Sequence, residues 1–194
     1  PLAALKGHAQ LLLEQLGENS REHKRAERVV KEAVRLEVLT NELLDFARSG
    51  KVQRIEISPS ELVSDVVQAL GEERIKLDLK QAPAMFSLDP VRMRQVLTNL
   101  FGNALVASPS DALVEVEMHV ERGELWLTVH DRGPGIEAGQ EEKIFEAFHT
   151  TRVQGTGLGL AVARRVVELH GGTISAYNHT SGGAVFQVRI PPGV

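Results

Sequence analysis

The sequence predicts an α+β protein, in which a helical hairpin precedes a sandwich of one mixed or antiparallel sheet with helices on one face. Two observations lead to this fold class. Up to about residue 47, apolar residues recur at steps of three and four, which is typical of packed helices. After Ser49 and Gly50, short alternating segments come in pairs with helical segments between them. We therefore divide the chain into a hairpin (residues 1–48), a linker (49–57) and a second domain (58–194).

The hairpin carries two apolar seams of the kind that pack in helical bundles. Gly17 can end the first helix, and Asn19 can cap the second, with Glu22 three residues later as in a capping box. Two helices alone leave much of each apolar stripe in water, so we expect residues 1–48 to form a homodimer with a four-helix bundle. The first seam is Leu2, Leu5, Ala9, Leu12 and Leu16, and the second is Val29, Ala33, Leu36, Thr40, Leu43 and Ala47.

The second domain is predicted to begin with a helix that Ser58 or Pro59 opens and that ends near Leu70. Asp89 and Pro90 predict another helix start, with an N-cap aspartate and proline at the first helical position. Glycine, proline and polar residues over 132–157 predict a long loop. The predicted strands are 74–80, 84–88, 114–120, 125–129, 173–177 and 184–190, and the later helices are 90–105 and 158–169.

Composition and charge exclude several classes of function. The 194 residues are 42% hydrophobic and 25% charged, which is typical of a globular protein, and the net charge of −4 argues against nucleic acid or anionic lipid as a partner. Cysteine is absent from the sequence, which excludes disulfides, thiol catalysis and thiolate metal sites. No apolar run approaches the roughly 20 residues that cross a bilayer. We expect a cytoplasmic location, with any membrane anchor of the parent protein upstream of this segment.

Two asparagines on the predicted helix 90–105 form the first candidate cluster. Asn99 and Asn103 are four residues apart and so lie on one helix face. Carboxamide oxygens are hard, neutral ligands that suit Mg²⁺, which also binds phosphate oxygens and water. Taken alone, the pair is better explained as two polar residues on a solvated face, because such residues are mostly exposed.

A second cluster, Asp131-Arg-Gly-Pro-Gly-Ile136, directly follows a predicted strand. An aspartate at a strand end can accept a hydrogen bond from an exocyclic amine of a ligand. Two glycines let the backbone turn tightly and come close to that ligand. An ordinary turn would give the same pattern, so this cluster is a weak signal when taken alone.

A third cluster is the glycine-rich segment Gly155-Thr-Gly-Leu-Gly-Leu160, which leads into a predicted helix. Backbone N–H groups and the positive end of a helix dipole favour phosphate at such a place. The segment lacks the Gly-Lys-Ser/Thr ending of a Walker loop, and it does not follow a strand as a dinucleotide fingerprint does. The alternative interpretation is a flexible hinge.

The order of these clusters resembles the sequence boxes of sensor histidine kinases of two-component systems. Asn99 and Asn103 match the N box, and residues 131–136 match the first glycine box. Residues 1–12 resemble the helix just past the phosphoacceptor histidine, especially in nitrogen-regulation-type sensors. The resemblance covers the whole chain and implies the histidine-kinase and Hsp90-like ATPase type of sandwich. The F box, second glycine box and last glycine box are matched by Phe145–Phe148, Gly155–Leu160 and Gly182–Phe186.

The resemblance implies a kinase that binds ATP and Mg²⁺ and transfers the γ-phosphoryl group to a histidine, and from there to an aspartate of a response regulator. Asn103 would ligate Mg²⁺, Asn99 would assist at the metal or the phosphates, and Asp131 would bind the adenine amino group. Leu158 and Leu160 would contribute mostly packing. The remaining implied contacts are Gly133, Gly135 and Ile136 at the base, Gly155, Thr156, Gly157, Leu158, Gly159 and Leu160 at the phosphates, Phe145 and Phe148 as lid anchors, and Thr151 and Arg152 near the phosphates.

Two departures from the family pattern bear on these expectations. Ala184 stands where threonine often follows the last glycines, a variant that we expect to be harmless. The phosphoacceptor histidine and its acidic neighbour would lie upstream of Pro1. We therefore expect this segment to bind ATP without phosphorylating itself.

The nearest alternatives share the nucleotide-binding fold. Chaperone, topoisomerase and mismatch-repair ATPases carry a glutamate four residues before the metal-binding asparagine, where this chain has Asn99, which cannot act as a general base. A serine kinase of the anti-sigma type would leave residues 1–48 unexplained. A ligand-free dimerisation module would leave the glycine boxes unexplained. Positioning ATP for phosphoryl transfer is therefore the favoured interpretation.

Overall fold

The computed structural model describes residues 2–16, 20–47, 52–150 and 155–193. The chain divides into two compact units, Pro1–Arg48 and Ser49–Val194. Within the described ranges, no helix combines the length and the apolar character that a membrane span requires.

The first unit is the predicted hairpin, with helix α1 over Leu2–Gln15 and helix α2 over Arg21–Ala47. The Ser20 side chain caps α2, because its Oγ accepts a hydrogen bond from His23 N at 2.9 Å. The predicted cap was one residue earlier, at Asn19, which lies outside the described residues. Among the seam residues whose side chains the structure describes, the buried ones are the small residues Ala9 and Ala33. The larger seam residues Leu5, Leu12, Val29, Leu36 and Leu43 are between 46% and 55% exposed.

The second unit contains the predicted mixed sheet. Five strands run in the order β2-β4-β5-β7-β6, with β2 and β4 parallel and the other neighbours antiparallel. The strands and helices are β1 (Ile55–Ile57), α3 (Pro59–Leu70), β2 (Ile75–Gln81), β3 (Phe86–Leu88), α4 (Pro90–Ala107), β4 (Val114–Glu121), β5 (Glu124–His130), α5 (Gly159–Leu169), β6 (Thr173–Asn178) and β7 (Ala184–Ile190), with a 3-10 turn at Lys143–Phe145.

Strand β1 lies within the segment 49–57 that was predicted as a linker. It pairs antiparallel with β3 in a separate two-stranded sheet, with Ile55 opposite Leu88 and Ile57 opposite Phe86. Three residues are too few for alternation to be recognised in a sequence, so this pairing became visible only in the structure.

Helix α4 is the central element of the second unit. It contacts α3, α5 and the strands β4 and β5. Asp89 starts this helix as predicted, since its Oδ1 accepts hydrogen bonds from Val91 N and Arg92 N, both at 3.1 Å. The buried residues recur at steps of three or one, which is the spacing of one broad helix face. They are Met93, Val96, Leu97, Leu100, Phe101, Ala104 and Leu105.

A buried histidine joins the end of α5 to the start of α4. His170 is 2% exposed, its Nδ1 lies 2.8 Å from Val166 O, and its Nε2 accepts a hydrogen bond from Asp89 N at 3.1 Å. The ring is therefore neutral, with its proton on Nδ1. Arg54 bonds to the carbonyl oxygens of His170 and Pro191, so the segment before β1 is tied to the same place.

Burial is the main cause that lowers the pKa of His170 below its ordinary value of 6.5. Because the folded-state pKa is lower than the unfolded one, the neutral ring stabilises the fold fully above pH 6.5, and this contribution is lost as the pH falls from there towards the folded-state pKa. We expect the free energy of unfolding, measured by urea titration, to fall more steeply between pH 7.5 and 5.5 in the wild type than in His170→Gln. Equal slopes would contradict the neutral, hydrogen-bonded ring.

Candidate functional site

The two asparagines of the first cluster lie on α4 where this helix meets the start of α5. Asn99 Nδ2 donates a hydrogen bond of 2.9 Å to Gly159 O. Gly159 is the first residue of α5 and the last glycine of the glycine-rich segment. Asn103 is half-buried one turn further along α4. The helix that carries both carboxamides is thus joined directly to the segment predicted to bind phosphate.

Asp131 follows β5 and is only 3% exposed. Its Oδ1 accepts two backbone hydrogen bonds, from Gly133 N and from Ala184 N, each at 2.9 Å. No described residue donates to Oδ2, which leaves this oxygen as an acceptor for a ligand. A carboxylate held by two backbone donors has a fixed direction, and a fixed acceptor can recognise one donor of a ligand.

The loop after Asp131 rests on the carboxyl end of α4. Arg132 N donates to Ser108 Oγ at 2.9 Å, and that hydroxyl donates to Ala104 O at 2.8 Å. A Cβ atom on Gly133 would lie 2.9 Å from Ala107 O, so only glycine allows this approach. Ser108 was not among the predicted site residues, and its position just after the helix was the only signal that pointed to it.

The Arg132 side chain fixes the loop to the outer side of the sheet. Its guanidinium contacts Glu115 Oε2 on β4 at 2.6 Å and Ser181 Oγ at 3.2 Å. Burial raises the pKa of the Glu115 carboxyl, but the hydrogen bond from Lys76 and the charge of Arg132 outweigh this, and the pKa lies below its ordinary value. Glu115 therefore stays ionised at neutral pH and holds Arg132.

Asn178, at the end of β6, holds the far end of the same loop. Its Oδ1 accepts from Ile136 N at 2.6 Å, and its Nδ2 donates to Ile136 O at 2.8 Å. A Cβ on Gly135 would lie 2.5 Å from Asn178 Oδ1, so this position requires glycine. Sequence reasoning missed Asn178, because a partner 42 residues away leaves no local signal.

Backbone hydrogen bonds hold the middle of the glycine-rich segment 155–160, at Gly157 and Leu158. Phe148 N donates to Gly157 O at 2.9 Å, and Leu158 O accepts from Val162 N at 2.8 Å in the first turn of α5. Leu158 is fully buried, so its side chain packs in the core, as expected, and only its backbone can face a ligand. Leu158 N donates to Thr156 Oγ1 at 3.3 Å. The start of α5 favours an anion.

The two phenylalanines of the F box have different surroundings. Phe145 is buried and meets Phe186 of β7 edge to face, with ring centroids 6.4 Å apart. Phe148 is 62% exposed and has a φ of 68°, which is unusual for a residue other than glycine. Phe145 therefore anchors this segment through its side chain, and Phe148 through its backbone. Thr151 and Arg152 lie outside the described residues.

The three predicted clusters thus meet along one helix. The Asp131 loop contacts the end of α4 at Ala107, and the glycine-rich segment contacts the same helix at Asn99. Eight residues of helix separate these two contacts, which corresponds to about 12 Å along the axis. A base, ribose and triphosphate can bridge such a distance between an acceptor at one end and backbone donors at the other.

Two family models match the chain. One, described as "Histidine kinase-, DNA gyrase B-, and HSP90-like ATPase", matches residues 88–194 and thus includes all three clusters. The other, described as "His Kinase A (phospho-acceptor) domain", matches residues 1–51.

Curated relatives are similar over almost the whole chain. Sensor protein KdpD of Escherichia coli is 36% identical over 203 residues, which cover 98% of this chain and 23% of KdpD. Sensor histidine kinase ZraS of Klebsiella oxytoca is 32% identical over 198 residues, which cover 98% of this chain and 43% of ZraS. The chain therefore spans less than half of the length of these relatives.

Solved structures share the fold of both units. Full-length ShkA, crystallised in complex with AMPPNP, has a TM-score of 0.80 and 26% identity, and the match covers 100% of this chain and 43% of ShkA. Histidine kinase ThkA in complex with response regulator protein TrrA has a TM-score of 0.75 and 25% identity, and the match covers 100% of this chain and 58% of ThkA.

Proposed function

The chain belongs to the histidine kinase family, and we propose that it binds Mg-ATP between α4, the Asp131 loop and the glycine-rich segment, for transfer of the γ-phosphoryl group to a histidine. One observation carries the proposal, namely the contact of both loops with α4 at points about 12 Å apart. ShkA was crystallised with AMPPNP, which supports a nucleotide at this fold.

The base end of the site is Asp131. Its Oδ2 is the proposed acceptor for the amino group of adenine, while Oδ1 remains bonded to Gly133 N and Ala184 N. Gly135 and Ile136, fixed by Asn178, would form the wall beside the base. The buried carboxylate would recognise a donor and reject a carbonyl oxygen, so the site would prefer adenine to guanine.

The residues at the other end fit a phosphate–magnesium group. Two neutral carboxamides and a helix start add no negative charge that would repel a triphosphate. Asn103 would hold the ion, and Mg²⁺ would neutralise charge on the phosphates. Gly155, Gly157 and Gly159 would bring backbone N–H groups to the phosphates, with Thr151 and Arg152 as further proposed contacts.

The chain's own residues position ATP rather than activate water. Asn99, in the place where related ATPases carry a glutamate, bonds through Nδ2 to Gly159 O and cannot take a proton from water. Positioning is sufficient for phosphoryl transfer when an acceptor is brought to the γ-phosphate, because the transfer depends mainly on alignment and charge neutralisation. Rapid ATP hydrolysis without an acceptor would favour the ATPase alternative.

We propose two partners, a second copy of this chain and a response regulator. The half-exposed leucines of α1 and α2 support a homodimer through residues 1–48, in which two hairpins bury both stripes. ThkA was crystallised with response regulator TrrA, which supports a receiver aspartate as the final acceptor. We also propose the nitrogen-regulation subgroup, a cytoplasmic location, and residues 58–194 together with β1 as the ATP-binding domain.

Asn103→Ala tests the metal end of the site. We expect the Kd for Mg-ATP, measured by calorimetric titration, to rise at least about tenfold, because a ligand of the ion is lost. The Kd for ATP in EDTA should change little. Thr98→Ala is the matched control, since this exposed side chain bonds only within its own helix. Unchanged Mg-ATP binding by Asn103→Ala would refute the metal assignment.

A further inference from the structure

We propose that Asn178 is a positioning residue for the nucleotide base, which it orients by clamping the backbone at the end of the Asp131 loop. The inference rests on the proposed binding of ATP at this loop. Asn178 lies in β6, outside the glycine-rich segments, and its side chain is exposed, so it is not needed to fill the core.

The clamp has two hydrogen bonds to one residue. Asn178 Oδ1 accepts from Ile136 N at 2.6 Å, and Nδ2 donates to Ile136 O at 2.8 Å. Such pairing repeats what a neighbouring strand would offer, and it fixes both the position and the tilt of the peptide groups of Ile136. Aspartate lacks the donor, serine is too short to reach both atoms, and alanine offers neither.

The geometry of Gly135 is adapted to this clamp. Its φ is 82°, in the region that favours glycine, and a Cβ there would lie 2.5 Å from Asn178 Oδ1. The loop can therefore approach the asparagine only because position 135 has no side chain. The Ile136 side chain packs against the core at the same point.

Without the clamp, the far end of the loop would keep only the packing of the Ile136 side chain. Two hydrogen bonds fix the start of the loop. Ala184 N donates to Asp131 Oδ1, and Arg132 N donates to Ser108 Oγ. After Ile136, the described backbone hydrogen bonds up to the 3-10 turn are local ones, from Gln140 N to Glu137 O and from Ile144 N to Gln140 O. The next bond to a distant element is at Glu142, whose Oε2 accepts from Arg164 Nη1 of α5 at 3.1 Å. The two hydrogen bonds of Asn178 therefore join the end of the loop to strand β6 of the sheet. These two hydrogen bonds add to the packing of Ile136 and fix the direction of its peptide groups relative to Asp131.

Asn178→Ala tests this role with two ligands, ATP and purine riboside triphosphate, which lacks the amino group. We expect the Kd for Mg-ATP to rise about tenfold and the preference for ATP over the analogue to fall towards one. A merely structural role would weaken both ligands equally and leave the preference unchanged. Thr180→Ala, an exposed position two residues later, is the matched control and should behave as the wild type.

Asn178→Asp keeps the size of the side chain and one of the two hydrogen bonds, but places a carboxylate against Ile136 O. We expect its preference for ATP to fall as in Asn178→Ala, and wild-type behaviour would overturn the two-bond clamp. In one outcome, the wild type binds Mg-ATP and prefers it to the analogue, and both Asn178 variants keep that preference. This result would contradict the role of Asn178 and leave the proposed base site intact. If the wild type shows no preference between ATP and the analogue, the proposed base site fails instead.

Discussion

Gly183→Ala is expected to lower the free energy of unfolding of the second unit by about 3–5 kcal/mol, because the added methyl group meets a backbone oxygen. Gly183 has a φ of 82°, and a Cβ there would lie 1.9 Å from Asp131 O. The residue lies where the turn into β7 crosses over Asp131, whose N–H bonds to Ala184 O at 2.9 Å. The backbone at Gly183 and the backbone at Asp131 cannot move apart to relieve the clash without breaking the hydrogen bond from Asp131 N to Ala184 O. Urea unfolding followed by circular dichroism measures the loss.

The neighbouring glycine provides a matched control. Gly182 has a φ of 93°, but a Cβ there would have no atom within 4 Å. We therefore expect Gly182→Ala to lower the free energy of unfolding only by the cost of a left-handed backbone, about 1–2 kcal/mol. The difference between the two variants reports the collision with Asp131. Equal losses of stability would show that the close approach over Asp131 is absent.

Asp131→Asn is expected to reverse the base preference while leaving the loop in place. The Asn oxygen can still accept from Gly133 N and Ala184 N, which lie 2.9 Å from the present Oδ1. Its amide nitrogen then takes the place of Oδ2 and becomes a donor. A donor repels the adenine amino group and suits the O6 of guanine. We expect the Kd for ATP to rise about 100-fold and the Kd for GTP to fall below that for ATP.

Calorimetric titration with both nucleotides measures this reversal, and thermal unfolding checks that Asp131→Asn remains folded. Glu117→Gln is a matched control, because it also neutralises one carboxylate, at an exposed position of β4. It should leave both dissociation constants unchanged. An Asp131→Asn protein that still prefers ATP to GTP would place the base somewhere else.

Helices and strands with their own local signals were predictable from the sequence. The aspartate–proline start of α4 and its apolar face depend on residues that lie within a turn or two of each other in the sequence. The structure has this helix at Pro90–Ala107. Strand β7 was predicted at 184–190 and is found there, because alternation over seven residues is unambiguous. The prediction of a helical hairpin followed by a mixed sheet was also confirmed, because most of its helices and strands carry such local signals.

Strand β1 was missed because it depends on a distant partner. Strand β1 has three residues and is a strand only because β3 pairs with it. The cap of α2 was predicted at Asn19, outside the described residues, and Ser20 Oγ accepts from His23 N; either residue type satisfies the pattern. For β1, neighbouring residues in the sequence allowed more than one structure, and the pairing with β3 selected one.

The candidate site shows the same division. The asparagine pair and the glycine-rich segments could be read as motifs, because their residue types suit ligand chemistry. Their supports could not, since Asn178 reaches Ile136 across 42 residues and Ser108 reaches Arg132 across 24. The carboxylate of Asp131 was predicted, but not that one of its oxygens is committed to the backbone.

A crystal structure of this chain with AMPPNP and Mg²⁺ tests the central assignment most directly. The expected result is an adenine amino group at hydrogen-bond distance from Asp131 Oδ2, phosphates at the backbone N–H groups of residues 155–159, and the ion at Asn103. A nucleotide bound with its base away from Asp131, or no nucleotide at a saturating concentration, would contradict it.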